Sequence, residues 1–238
     1  MRYVPDRTGR FRQRPHYDPS ELDTECEAII TGFLVGRYGA ASFPVSTGDL
    51  TCLLERDTED VDLYADLTGY GATVEGLTGF HRGGKPRVEI SAELANDPRR
   101  ENRLRTTLTH EYGHVHFHSF LWDFEESGRL FNDGATSNKQ ICKRDDMLGP
   151  SQADWMEWQA GHACGALLMP ATYVRRLVGA YASAHDLYGA VDHASVHGRA
   201  LVAEVQTAFQ VSADAANVRL RRLKLLGQGT ATPSLLGQ

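Results

Sequence analysis

No stretch of this 238-residue chain approaches the ~20 consecutive apolar residues of a membrane helix, so a membrane protein is not expected. Cysteine is scarce. Cys26, Cys52, Cys142 and Cys164 are scattered without a Cys-x-x-Cys pair, which points to reduced thiols in a cytosol. Cys142 sits beside Lys143 and Arg144, a setting that could favour a thiolate and a redox role. An excess of positive charge is missing too: 25 Lys and Arg against 31 Asp and Glu leave a formal charge of -6. That argues against wholesale nucleic-acid binding while permitting a local basic patch. There is no internal repeat or low-complexity tract. Met1 to Pro15 is arginine-rich without a hydrophobic stretch, so no secretion signal is visible and a cytoplasmic location is expected. The chain is long enough to bury a sizeable core as one domain, or as one domain with an extension.

What is present is concentrated in residues 110–114, His-Glu-Tyr-Gly-His. In a helix, positions i and i+4 lie one above the other, so His110 and His114 can aim two imidazoles at one metal ion. Glu111 projects from nearly the same face. Zinc held in this way lowers the pKa of a bound water to about 7, and a neighbouring carboxylate can take its proton as general base. Residues 101–122 contain no proline, and Leu104, Leu108 and Val115 fall at helical spacing, so a half-buried helix is expected. Gly113 weakens that helix and suggests a closely approaching neighbour.

Two histidines leave a catalytic zinc one protein ligand short. The extension with glycine at motif position 8 and a third histidine at position 11 is excluded, because Phe117 and Phe120 stand there. The other solution is a glutamate from a second helix. Residues 151–170 offer one: Ser151 and Asp154 have capping-box spacing, and Pro170 ends the run. Ala160, Gly161, Cys164 and Gly165 would let this helix pack closely against the motif helix. Glu157 on it is the best third ligand. Asp154, His162 and the Glu125/Glu126 pair compete, and a solvated glutamate remains the plain reading. His118, one turn beyond His114, could orient a ligand or stabilise a tetrahedral intermediate, while His116 and Tyr112 point away from the metal face. Tyr173, Arg175 and Arg176 are further candidates for the oxyanion donor.

The run Leu-Thr-His-Glu-Tyr-Gly-His-Val-His-Phe-His, followed by Glu157 on a helix ending Gly-Ala-Leu-Leu-Met-Pro, resembles the ImmA/IrrE family of zinc metallopeptidases. Phe43-Pro44-Val45 with a short amphipathic helix, the hairpin of residues 73–92, and the closing segment from Phe209-Gln-Val-Ser also agree, so the resemblance spans roughly residues 25–225. The pentapeptide is shared with many proteases; its coupling to the Leu-Leu-Met-Pro helix is more specific. The resemblance implies a cytoplasmic endopeptidase that cleaves a helix-turn-helix repressor at one site and so derepresses stress or mobile-element genes. It implies His110, His114 and Glu157 as Zn2+ ligands and Glu111 as general base. Gly161 stands where the family usually has asparagine, and the 119–153 stretch is longer than expected.

Along the rest of the chain, residues 1–20 carry five arginines without helical period and read as a flexible basic arm. Residues 21–36 read as a helix stopped by Gly36. Ser46 with Asp49 caps another, and 55–71 reads as an acidic loop. Thr73–Phe80 and Pro86–Ala92 are β-rich runs around a turn, a hairpin whose edge could hold an extended substrate or could simply complete the core. Residues 171–190 read as helical. Residues 193–209 and 212–226 form a helix pair with Ser212 as N-cap, and Arg219, Arg221, Arg222 and Lys224 make the second helix basic. Direct DNA binding is not the favoured use of that pair.

The expected architecture is α+β: a zincin-like metalloprotease core, with a small antiparallel sheet and an active-site helix, plus a C-terminal helical extension. The expected boundaries are 1–20 for the arm, 21–178 for the peptidase domain, 179–226 for a helix-turn-helix-like extension and 227–238 for a disordered tail. The competing reading is a non-catalytic zinc-containing regulator that acts by protein or DNA binding. The sequence does not settle the oligomeric state.

Overall fold

A computed structural model describes residues 1–124, 139–143 and 154–227. It is a mixed α/β protein that divides into two compact units, Met1–Leu168 and the residues from Met169 onward. The boundary falls ahead of the expected one near residue 178. The cut comes at the end of the helix preceding Pro170, so the next helix belongs with the second unit.

The first unit opens with β1 (Arg2–Pro5) and β2 (Gln13–His16), paired antiparallel as a ribbon. The expected flexible arm is thus an ordered hairpin. Asp6 closes its loop by accepting from the Thr8 and Phe11 amides. Phe11 is buried among Phe80, Leu121, Trp122, Trp155 and Met156. Apolar anchoring outweighs the proline and arginine content that favoured disorder in the reading of the sequence.

Helix α1 (Pro19–Tyr38) is capped by Glu21, whose carboxylate accepts from the Asp18 amide, and runs past Gly36 to a C-cap at Gly39. Helix α2 (Thr47–Asp57) starts at Ser46, whose hydroxyl accepts from the Asp49 amide, as the sequence spacing predicts. The segment expected as an acidic loop contains β3 (Asp60–Ala65), followed by β4 (Val74–Gly79) and β5 (Arg87–Ser91). Next come α3 (Ala92–Ala95), the long α4 (Glu101–His118), α5 (Leu121–Phe124), β6 (Lys139–Lys143) and α6 (Trp155–Leu168).

The sheet has the order β3-β5-β4-β6. β4 runs antiparallel to both β5 and β6, confirming the hairpin, but β3 pairs parallel with β5, so the sheet is mixed rather than antiparallel throughout. The connection from β3 reaches β5 by way of β4, which brings β5 back beside β3 in the same direction. β4 therefore lies inside the sheet, with a strand on each side, and is not the edge that a hairpin alone would offer.

Every described residue from Thr107 to Val115 of α4 is buried, and so is nearly all of α6. A helix buried all round must be the centre of its unit. These two helices pack on each other, α2 packs on α4, α1 packs on α6, and β4 lies against α4. Gly113 permits the closest approach: a Cβ there would sit 3.0 Å from the Ala160 Cα and 3.3 Å from the Ala163 Cβ.

The second unit contains α7 (Ala171–Ala184), β7 (Val191–Asp192), α8 (Val196–Phe209), α9 (Ala213–Arg222) and β8 (Leu226–Gly227). Ser195 and Ser212 cap α8 and α9 by accepting from Gly198 and Ala215 amides. Strands β7 and β8 form a short parallel pair. Of the four residues expected to make this helix basic, Arg219 is buried, donating through Nε to the Met169 carbonyl at 2.9 Å. The tail beyond Gly227 lies outside the described residues, as do Glu125, Glu126 and Ser151 and the side chain of Cys142. No helix among the described residues is long and apolar enough to cross a membrane.

Candidate metal centre

Helix α4 places His110 and His114 one turn apart, and α6 brings Glu157 between them. His110 Nε2 lies 3.1 Å from Glu157 Oε2, His114 Nε2 lies 3.3 Å from Glu157 Oε1, and the two Nε2 atoms are 3.2 Å apart. Both histidines are fully buried, and Glu157 is 7 % exposed. Donor atoms ~2.0–2.1 Å from one tetrahedral metal ion lie about 3.3 Å from each other, so this triangle matches a coordination face. Hydrogen bonds alone leave it frustrated. If both imidazoles donate to Glu157, their two N–H groups meet at 3.2 Å with no acceptor between them. A cation at the centre satisfies all three groups at once. This buried His110–His114–Glu157 group could hold a metal ion.

The electrostatics point the same way. Burial by itself opposes ionisation of Glu157, but the charge of His114 and hydrogen bonds from His110 and His114 hold its carboxyl well below the usual range. Burial opposes the charged form of His110 too, yet its hydrogen bond and attraction to Glu157 leave its pKa raised. The cluster favours positive charge at its centre, from protons when no metal is bound.

Glu111, also fully buried, is held differently. Thr78 on β4 donates its hydroxyl to Glu111 Oε2 at 2.5 Å, whereas Oε1 has no hydrogen-bond partner among the described residues. Burial raises its pKa, partly offset by His114 and His110. Gly76 makes room for it: a Cβ at Gly76 would stand 2.9 Å from both Glu111 Cδ and Thr107 Cγ2. A glycine inside a strand often marks such a close approach.

Behind His114, its Nδ1 meets His118 Nδ1 at 3.0 Å, and His118 Nε2 meets Gln159 Oε1 at 3.0 Å. Gln159 Nε2 in turn donates to the Pro15 carbonyl of β2 at 2.9 Å. Burial first, and then the charge of His114, pushes the His118 pKa well down, so the ring is neutral. His118 therefore stands behind a ligand and not beside the metal face.

The other candidates go elsewhere. His162 is paired with Asp23 at 2.9 Å, and Asp154 caps α6 by accepting from the Met156 amide at 3.1 Å. His116 meets Glu25 at 2.7 Å, and Tyr112 donates to Asp57 at 2.7 Å, both off the metal face. Tyr173 is on α7 of the second unit, where the Arg176 guanidinium sits over its ring, and Arg175 donates to the Leu223 carbonyl. Sequence reasoning missed Thr78, Gly76 and Gln159. Two glycines within the short run Glu75-Gly76-Leu77-Thr78-Gly79 were the available signal for the first two; Gln159 carries none. Comparison with protein-family models and with curated proteins finds no match for the chain.

Proposed function

We propose that this protein is a cytoplasmic zinc-dependent endopeptidase with a zincin-like core. The observation that carries the reading is the convergence of three buried donors on one point, with a buried carboxylate, Glu111, beside them. Two imidazoles and a carboxylate at tetrahedral spacing are a zinc donor set that leaves one position open. Bound zinc would act as a Lewis acid on a peptide carbonyl and acidify water. Glu111 takes the proton from the attacking water through Oε1 while Thr78 holds Oε2. As the carbon–nitrogen bond breaks, the same carboxyl returns that proton to the leaving amine.

A purely structural zinc would not need Glu111. Burying a carboxylate with one oxygen unpartnered costs stability, and a regulator that worked by binding alone would gain nothing from it. The substrate follows from the resemblance to the ImmA/IrrE family: a helix-turn-helix repressor cut at one site. The test incubates zinc-loaded protein and Glu111→Gln with helix-turn-helix repressors from the same genome, reads products by mass spectrometry, and follows expression of the repressed genes in cells carrying either protein. A single cut by the parent and none by the variant is expected. Equal derepression by both proteins with the repressor uncut would establish the binding reading instead.

A further inference from the structure

We infer that Gln159 and the N-terminal hairpin are part of the metal centre: a one-way chain of hydrogen bonds from the Pro15 carbonyl through Gln159 and His118 fixes which nitrogen of His114 faces the metal. The inference rests on the metal-site reading above and deepens it. Each direction follows from the one before. A carbonyl oxygen only accepts, so the Gln159 group bonded to Pro15 must be its NH2, at 2.9 Å. The Gln159 oxygen is then the one that faces His118 Nε2, at 3.0 Å, and an amide oxygen also only accepts. His118 must therefore carry its proton on Nε2. Its ring is buried, and its two nitrogens meet Gln159 Oε1 and His114 Nδ1 with no carboxylate hydrogen-bonded to it among the described residues, so it is neutral and its Nδ1 holds a lone pair. That lone pair meets His114 Nδ1 at 3.0 Å and requires the His114 proton there. In the neutral ring that a metal requires, this leaves His114 Nε2 as the lone pair, pointing at the centre of the donor triangle.

Metal-ligating histidines ordinarily fix their tautomer by donating to a carboxylate or carbonyl. Here the acceptor is a second histidine, which is itself ambiguous, so the chain must be anchored further out. The anchor is the β1–β2 ribbon. Tyr17 packs edge-on against Phe117 of α4, and Phe11 packs edge-on against Trp155 of α6. Trp155 in turn stands edge-on to the His118 ring at 5.4 Å. These contacts hold the Pro15 carbonyl and the His118 ring in register. Gln159 and His118 are positioning residues, since neither touches the ion.

Long-range 1H–15N spectra of the 15N-histidine-labelled full chain read the tautomers, with and without Zn2+. We expect His118 as the Nε2–H tautomer in both states, and His114 with a proton on Nδ1 and zinc on Nε2 in the loaded state. Gln159→Met keeps the shape and removes both hydrogen bonds; it should lower Zn2+ affinity about 10–100-fold, measured by chelator competition, and scramble the His118 tautomer. His118→Asn retains an acceptor near the position of Nδ1 and should recover much of the affinity that His118→Leu loses. That pair decides the matter if Gln159→Met fails to fold. A folded Gln159→Met with zinc affinity within about twofold of the parent and an unchanged His118 tautomer would overturn the chain. Parent protein that takes up no zinc would instead defeat the metal reading, and the metal-free spectra would still report the hydrogen-bond direction.

Discussion

Among the described residues, the two units bury very different things. Met1–Leu168 buries His110, Glu111, His114, His118, Glu157, Gln159 and His162 around the junction of α4 and α6, with Thr78 and Thr107 close by. The second unit buries one charged side chain, Arg219, whose Nε donates to a backbone carbonyl; its interior is otherwise apolar, with Val174, Leu201, Val205, Phe209 and Leu220 among its buried residues. Polar groups in a core cost stability unless every one finds a partner. The second unit's buried charge is held by that carbonyl, and the unit reads as packing. In the first, Glu111 Oε1 and His110 Nδ1 are among the buried atoms with no hydrogen-bond partner among the described residues, and these two sit at the candidate metal centre, where function can require such exceptions.

The comparison breaks most sharply at Gly76. Gly76→Ala pushes a methyl into the Glu111 carboxylate and should cut hydrolysis by up to about 10²–10⁴, the contribution of a placed general base, while zinc stays bound. Rate measurements beside elemental analysis check this; zinc and activity lost together would mean that β4 supports the metal and not the base.

Gly113→Val tests the contact between α4 and α6. Overpacking against Ala160 and Ala163 should cost about 1–3 kcal/mol in denaturant unfolding and weaken zinc binding, because Glu157 rides on α6. Unchanged stability would show that the helices have slack.

A pH series sharpens the contrast at smaller amplitude. His110 and Glu111 both have raised folded-state pKa values in the metal-free cluster, His110 because attraction to Glu157 outweighs burial, Glu111 because of burial. A raised folded pKa gives stability that is complete below the unfolded value and is lost as pH rises through the folded one. His118, whose pKa is lowered, contributes the opposite slope with or without metal, so the difference between the two states isolates the cluster: zinc should raise the melting temperature more near pH 8 than near pH 5.5, because the cation replaces the protons. A zinc-induced gain that shrinks toward pH 8 would contradict the cluster's electrostatics.

The smallest effect belongs to the second unit. Ser212→Ala removes the cap of α9 and should cost about 1 kcal/mol with zinc content untouched. A loss of zinc in that variant would mean that the two units do not divide the labour as described.

How far the sequence alone could reach depended on whether periodicity or single contacts decide the structure. Helix α4, Glu157 on α6 and the β4–β5 hairpin repeat an apolar or ligand pattern over several turns or strand positions, and such patterns are visible in one dimension. The apolar anchors of the N-terminal ribbon are Phe11 and Tyr17, two aromatics in an arginine- and proline-rich run, so composition pointed to disorder. In β3, Val61, Leu63 and Ala65 alternate with polar or exposed neighbours, yet the acidic surroundings masked a strand that lies at the sheet edge. Thr78 and Gln159 are common residues whose roles come from what they meet across the fold, at 2.5 Å and 3.0 Å.

The central claim is that His110, His114 and Glu157 together hold one zinc ion. Elemental analysis of parent protein and Glu157→Ala, purified in parallel and checked for folding, tests it most directly. The account predicts about one zinc per chain in the parent and severe loss in the variant, since one of three ligands is gone. A folded Glu157→Ala that retains zinc at the parent level would contradict it.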